Sequence, residues 1–278
     1  MSSSSSPGKA PAQTTEHAPV HHRVHVRTLK GTEGAALQLP AAFSTPIRPD
    51  LIRRAVVAAQ ANRRQPHSTS PTAGMRHSVE WSGKGQGVSR TPRLMSSMRG
   101  AQAPNTVGGR RAHPPRTETI WAKKINLKER RLAFRSALAA TREAGLARAR
   151  GHHVPEELHL PVVLEDPAEK VESAAEARRL LAALHLWEDV ERARDGVHVR
   201  AGRGKRRGRY RREPKSLLIV TSAPGRARGF KNLSGVDVVA LNRLGTEDLA
   251  PGGTPGRLTI FSQSAIESLR ARLEAESA

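Results

Sequence analysis

The sequence predicts an α/β body with a mostly parallel sheet of roughly four strands, interrupted by one long extended internal arm. Three observations lead there. After residue 125, short apolar runs alternate with amphipathic stretches, the order expected of strands and helices in a parallel layered fold. Those runs are apolar throughout, which suits strands buried on both faces. Between Asn62 and Lys124 neither the helical nor the strand period persists, and Gly and Pro recur throughout.

Taken in order, residues 1–22 are rich in Ser, Pro and Ala and lack the apolar centre of a secretory signal. They predict a disordered tail and a cytoplasmic protein. The body opens at residues 23–61. Residues 25–29 alternate, residues 30–34 form a turn, and residues 35–39 return as the second strand of a hairpin. Pro49 suits a first helical turn. Leu51, Ile52, Ala55, Val56 and Ala59 then fall on one helical face.

The arm, residues 62–124, is too long for an ordinary loop in a compact domain. It reads as a segment without regular structure that a polyanion orders. The body resumes over residues 125–278. Asn126 is placed to cap a helix, with Glu129 as its reciprocal partner. Phe134, Ala137 and Leu138 continue that helix, and Gly145 is expected to end it. Residues 160–164 form a strand. Asp166, Pro167 and Glu169 read as a second capping signature, opening a helix whose stripe is Val171, Ala174, Ala177, Leu180, Leu181 and Leu184. A short helical piece spans residues 187–194. Residues 216–221, 236–241 and 257–261 are further strands, and residues 264–274 close the chain as a helix.

Charge separates body from attachments. The formal net charge is +22. The arm holds twelve Lys/Arg against two acids, and residues 198–215 hold nine against one. Residues 125–197, with twelve basic and thirteen acidic side chains, are close to neutral. Two cationic stretches on a neutral body predict a nucleic-acid partner. An anionic membrane is the weaker reading, because no apolar run approaches the roughly 20 residues of a spanning helix and the basic stretches lack an apolar face. Arg outnumbers Lys in both stretches, which suits two-pronged phosphate contacts. Aromatic residues make up 3% of the chain, which argues against stacking as the main mode of binding.

The leading rival is a nucleic-acid-processing enzyme with a cationic guiding arm. It needs a convergent site. The glycine-rich pieces 83–87 and 202–205 match neither the P-loop nor the dinucleotide spacing. The acidic pairs Glu156/Glu157, Glu165/Asp166, Glu188/Asp189 and Glu247/Asp248 are neighbours in sequence, whose side chains point apart, and two pairs open helices. His21, His22, His25, His152 and His153 read as solvated or phosphate-contacting residues, since no Cys or carboxylate completes a metal set. Ser222 follows a strand but lacks the nucleophile elbow. Neither a metal, a cofactor nor a catalytic residue is expected.

The chain resembles the universal large-subunit ribosomal protein L-four family, in its archaeal/eukaryotic branch. The resemblance covers residues 24–273. It rests on RPDLIRRAVVAAQA (48–61), GGRRAHPP (108–115), KERRLAFRSALAA (128–140), RGHH (150–153) with LPVVLED (160–166), RAGRGK (200–205) with RYRR (209–212), and DLAPGGTPGR (248–257). It implies a three-layer α/β body on the large subunit, whose arm threads through large-subunit rRNA to the polypeptide exit tunnel. By position, the tunnel-facing tip is Leu94, Met95, Ser96, Ser97 and Met98. The implied rRNA contacts of the arm are Arg63, Arg64, Lys84, Gly85, Gly87, Arg90, Arg93, Arg99, Gly108, Gly109, Arg110, Arg111, His113 and Arg116. A second rRNA-binding segment is Arg200, Arg203, Lys205, Arg206, Arg207, Arg209, Tyr210, Arg211 and Arg212. Implied partners are large-subunit rRNA, neighbouring large-subunit proteins and the nascent polypeptide, with no membrane. The eukaryotic C-terminal extension is missing, which points to an archaeal or similarly short member.

Overall fold

The computed structural model describes residues 23–275, so the tail at 1–22, with His21 and His22, lies outside the described residues. The elements run β1 (Arg23–Arg27), β2 (Glu33–Gln38), α1 (Pro49–Asn62), β3 (Val79–Trp81) and β4 (Pro92–Leu94). Next come α2 (Leu127–Ala140), α3 (Ala144–Ala149), β5 (Val162–Leu164), α4 (Ala174–Ala183), α5 (Trp187–Asp195), β6 (His198–Val199) and β7 (Arg211–Arg212). The chain ends with β8 (Leu218–Thr221), β9 (Asp237–Ala240), α6 (Thr246–Leu249), β10 (Thr259–Ser262) and α7 (Gln263–Ala275). Two compact units result: Ala58–Lys124, and the rest of the chain on either side of it.

In the larger unit the sheet order is β2-β1-β5-β10-β8-β9. The four apolar strands lie side by side and parallel, and β1 adds a further parallel partner to β5. Among the described strands of this sheet, only β2 runs antiparallel. The opening hairpin therefore belongs to the main sheet, which has six described strands.

Side-chain alternation along these strands divides the core in two. Val163, Leu218, Val220 and Phe261 face one side with Ile52 and Val56 of α1, Phe134 and Leu138 of α2, and Ile266 and Leu269 of α7. Phe43 meets Phe261 edge to face there, with ring centroids 5.8 Å apart. Val162, Leu164, Ile219 and Ile260 face the other side with Ala147 of α3, Leu180 and Leu181 of α4, and Val190 of α5. Three layers follow from strands that are apolar on both faces.

Three local expectations are corrected. Asn126 stands at the start of α2, but its side chain makes no capping bond. Glu129 reaches Arg54 at 3.1 Å instead, tying α2 to α1. Ser136 adds a second tie, accepting from Arg48 N at 2.6 Å and donating to Pro46 O at 3.1 Å. Gly145 does not end α2, which stops at Ala140 as the Thr141 hydroxyl donates back to Leu138 O at 2.7 Å; Gly145 falls inside α3. Asp166–Lys170 is a separate 3-10 turn, and α4 begins only after Ser173, whose hydroxyl accepts Ala175 N at 3.3 Å. The Asp166 carboxylate caps another helix, accepting Ser264 N at 2.9 Å at the start of α7.

Arg257 is a charged side chain within the core, 1% exposed. It donates to Ser216 O at 3.1 Å, Leu217 O at 3.1 Å and Asp248 O at 2.9 Å, and pairs with Asp237 at 2.6 Å. Burial lowers its pKa, opposed by the Asp237 charge. Burial would raise the Asp237 carboxyl, but the Lys215 hydrogen bond and the Arg257 charge outweigh it and hold it below the usual range. Lys215 meets both Asp237 oxygens at 2.8 Å.

Candidate nucleic-acid interface

Within the unit Ala58–Lys124, the two legs of the chain are joined at intervals. At the base, Lys123 N donates to Asn62 Oδ1 at 2.8 Å and Asn62 Nδ2 donates to Lys123 O at 3.3 Å. Just above, the Arg64 guanidinium lies 3.6 Å from the Trp121 ring centroid, a cation–π stack. Further along, Gln102 Nε2 donates to Met75 O at 3.1 Å and also to His77 O, while Arg110 N donates to Gln102 O at 3.2 Å. Gly109 is required by crowding, because a Cβ there would fall 1.9 Å from Ala103 O.

The expectation of a segment without regular structure is corrected here. β3 and β4 pair antiparallel, with Val79 opposite Leu94 and Trp81 opposite Pro92. Strands of three residues are too short to register as a period in the sequence. Beyond β4 the chain turns back on itself. Met98 N donates to Leu94 O and Leu94 N to Arg99 O, both at 2.9 Å. Arg93 braces this turn, donating to Met98 O at 2.8 Å and Ser89 O at 3.2 Å. Met95, Ser96, Ser97 and Met98 are exposed on it, and Leu94 is half-buried.

The cations of this unit face solvent. Arg63, Arg64, Lys84, Arg90, Arg99, Arg110, Arg111 and Arg116 are exposed, as is His113, and Arg93 is half-buried by its bracing role. Gly85, Gly87 and Gly108 take positive φ of 82°, 66° and 77° with open space where a Cβ would stand. Their glycine requirement is conformational rather than steric.

The second cationic stretch lies in the larger unit. β6 and β7 pair antiparallel, and Arg200 N donates to Tyr210 O at 2.9 Å. Between them a 3-10 turn, Gly202–Arg207, ends on Gly208 at φ 76°. Arg203, Lys205, Arg206, Arg207, Arg209, Tyr210, Arg211 and Arg212 are exposed along this hairpin, and Arg200 is half-buried. Thus the structure gathers the basic residues into two closed, solvent-facing ribbons, one in each unit. Like charges at such density are costly to hold together and favour a polyanion that neutralises them.

Ser222, His152, His153 and Asp189, weighed above for chemistry, have other work. In α/β folds ligands enter at the carboxyl ends of parallel strands. Here Glu169 fills that place. Its carboxylate accepts Ser222 N at 2.6 Å, Ser222 Oγ at 3.0 Å and Ser262 Oγ at 2.6 Å, and pairs with Arg226. The cavity left beside it is about 10 Å³, room for a single water. His152, expected to be solvated, is instead buried with its Nδ1 3.1 Å from Asp189. Asp189 also accepts Ser216 Oγ at 2.6 Å, His153 N at 3.0 Å and Arg192 Nε at 2.9 Å. Ser216 and His152 both bind the carboxylate rather than each other, so this is a buried brace and not a nucleophile–base pair. No group of three or more potential ligands could hold a metal ion among the described residues. Nor is any described helix long and apolar enough to cross a membrane.

Burial would raise the Asp189 carboxyl; bonds from His152, Arg192 and Ser216 outweigh it and hold the group well below the usual carboxylate range. A depressed pKa contributes stability above the unfolded value, near 3.9 for Asp, and loses it as pH falls further. Asp189→Asn is therefore expected to cost about 3 kcal/mol at neutral pH and to flatten the fall of stability below about pH 4. Thermal unfolding of both proteins across that range checks it, and parallel pH curves would contradict it.

Trp81 and the Arg64–Trp121 stack escape a reading from composition, because three Trp in 278 residues carry no statistical signal. A Trp two residues ahead of an alternating glycine run is the available cue.

Comparison with known proteins agrees with this arrangement. The model of the ribosomal protein L4/L1 family matches residues 37–272. Large ribosomal subunit protein uL4 of Methanopyrus kandleri is 48% identical over 254 residues, covering 89% of this chain and 98% of the relative. The uL4 of Pyrobaculum aerophilum is 50% identical over 253 residues, covering 89% of each. That of Halorubrum lacusprofundi is 48% identical over 247 residues, covering 89% of this chain and 98% of the relative. The family match and identity of this level over most of the chain show that it belongs to the ribosomal protein L4/L1 family, among its archaeal members.

Proposed function

We propose that this chain is a structural, non-enzymatic constituent of the large ribosomal subunit that binds large-subunit rRNA and works in the cytoplasm as part of the ribosome. The observation that carries the RNA reading is the pair of closed, cationic, solvent-facing ribbons on an otherwise near-neutral body. Arg and Lys of residues 63–116 and 200–212 contact phosphates and release condensed counterions, which lets rRNA segments pack closely. Recognition is of RNA shape and backbone, with few bases read directly. The weakly charged turn at Leu94, Met95, Ser96, Ser97 and Met98 faces the nascent polypeptide in the exit tunnel. Neighbouring large-subunit proteins complete the surroundings.

A tagged full-length chain expressed in an archaeal cell is expected to sediment with the large subunit and to cross-link to its rRNA through both ribbons. Recovery in the free protein fraction, or cross-links to small-subunit rRNA alone, would overturn the assignment. Magnesium-dependent RNA turnover by the purified chain would favour the enzyme reading. Liposome binding that survives nuclease would favour a membrane role.

A further inference from the structure

We propose that Trp81 is a nucleobase-stacking residue, with one unpaired base of the bound RNA lying on the open face of its indole. The inference rests on the RNA-binding reading and adds a contact that composition argued against. Trp81 is 69% exposed, the most exposed of the three Trp side chains. The other two rings are each covered by an arginine, Trp121 by Arg64 at 3.6 Å and Trp187 by Arg178 at 4.8 Å. Among the described residues no cation covers Trp81.

Its backbone is nevertheless held in place. Trp81 ends β3, and its partner across the ladder is the buried Pro92. By strand alternation Val79 and Trp81 share one face, while Glu80 and its partner Arg93 take the other. The neighbouring acid Glu80 therefore points away from the ring. A large apolar surface fixed on a rigid element costs little further ordering when it binds.

The residues just after Trp81 favour a polyanion over an apolar peptide. Gly83, Gly85 and Gly87 have φ of 68°, 82° and 66°, with nothing within 4 Å of a built Cβ, so the ribbon is open on its sides. Lys84 lies between the first two. A base on Trp81 brings its own phosphate alongside Gly83, Lys84 and Gly85, where an open backbone and a cation meet it.

The test uses the full chain carrying Trp121→Phe and Trp187→Phe, so that Trp81 is the sole tryptophan and is excited apart from Tyr210. Fluorescently labelled large-subunit rRNA reports binding by anisotropy. Saturating RNA is expected to quench Trp81 emission and protect it from acrylamide. In the otherwise unchanged chain, Trp81→Leu is expected to weaken binding about tenfold or more. The slope of log K against log salt should stay unchanged, because no phosphate contact is lost. Trp81→Tyr should restore most of the affinity. RNA binding with Trp81 emission unaltered, or with Trp81→Leu at wild-type affinity, would overturn the inference and leave the RNA reading standing. Absence of any anisotropy change with the wild-type chain would overturn both. Acrylamide protection in assembled subunits that persists after nuclease digestion would assign Trp81 to a protein partner instead, and also overturn it.

Discussion

Arg257→Ala is expected to cost about 3–5 kcal/mol, the loss typical of removing one member of a buried charged network. The guanidinium serves four acceptors: the carbonyls of Ser216, Leu217 and Asp248, and the Asp237 carboxylate. Truncation leaves the Ser216 and Asp248 carbonyls without this donor where the native side chain is 1% exposed, at about 1–3 kcal/mol for each group that stays unpaired, while the Leu217 carbonyl keeps Asp237 N at 3.1 Å. Asp237 retains Lys215, which limits the damage on that side. Arg257→Lys keeps the charge but not the planar fork, and one ammonium cannot reach all four acceptors. It should fall between wild type and alanine. Urea denaturation followed by circular dichroism reads the effect as a lower midpoint with an unchanged slope. A loss below about 1 kcal/mol would mean that the freed carbonyls find other partners.

Replacing residues 83–111 with a short Gly/Ser connection is expected to abolish most RNA affinity while leaving the body folded. Both core clusters are built without any residue from Ala58–Lys124, so unfolding of the body should shift by less than about 0.5 kcal/mol. The base of the smaller unit keeps its reciprocal Asn62–Lys123 bonds and the Arg64–Trp121 stack. Six cations are removed: Lys84, Arg90, Arg93, Arg99, Arg110 and Arg111. At roughly 0.7–0.9 counterions per phosphate contact, the salt slope should fall by up to about 4–5, and affinity at physiological salt on the order of a thousandfold. Filter binding across a salt series checks both. If the body unfolds, the arm belongs to its core; if the slope is unchanged, these cations do not meet phosphates.

How much of this was legible depended on how far each feature reaches in sequence. The apolar strands and the stripes of α1, α4 and α7 are repeated patterns, so the layered body could be read directly. The helix ends could not. Glu129 matches the capping spacing, yet Arg54 claims it from 75 residues away. Asp166 matches too, yet it caps α7, 98 residues on. Glu169 reads as part of a capping signature, Asp189 as one of an acidic pair and Arg257 as the start of a strand; their burial comes from partners distant in sequence and leaves no local pattern. The two cationic stretches were legible from charge alone. Their division into closed ribbons, with Arg93 facing inward to brace a turn, required the backbone path.

The strand order of the sheet bears on when this protein can exist at all. Among the described strands β10 is the last made, at Thr259–Ser262, yet it lies between β5 and β8. Until it leaves the ribosome that is making it, the sheet is two fragments, β2-β1-β5 and β8-β9, with their inner edges unpaired. The cationic arm, residues 62–124, is synthesised long before that moment, while the body is unfinished. Emergence of β10, rather than of the strands before it, sets the time at which the two halves of the sheet can join.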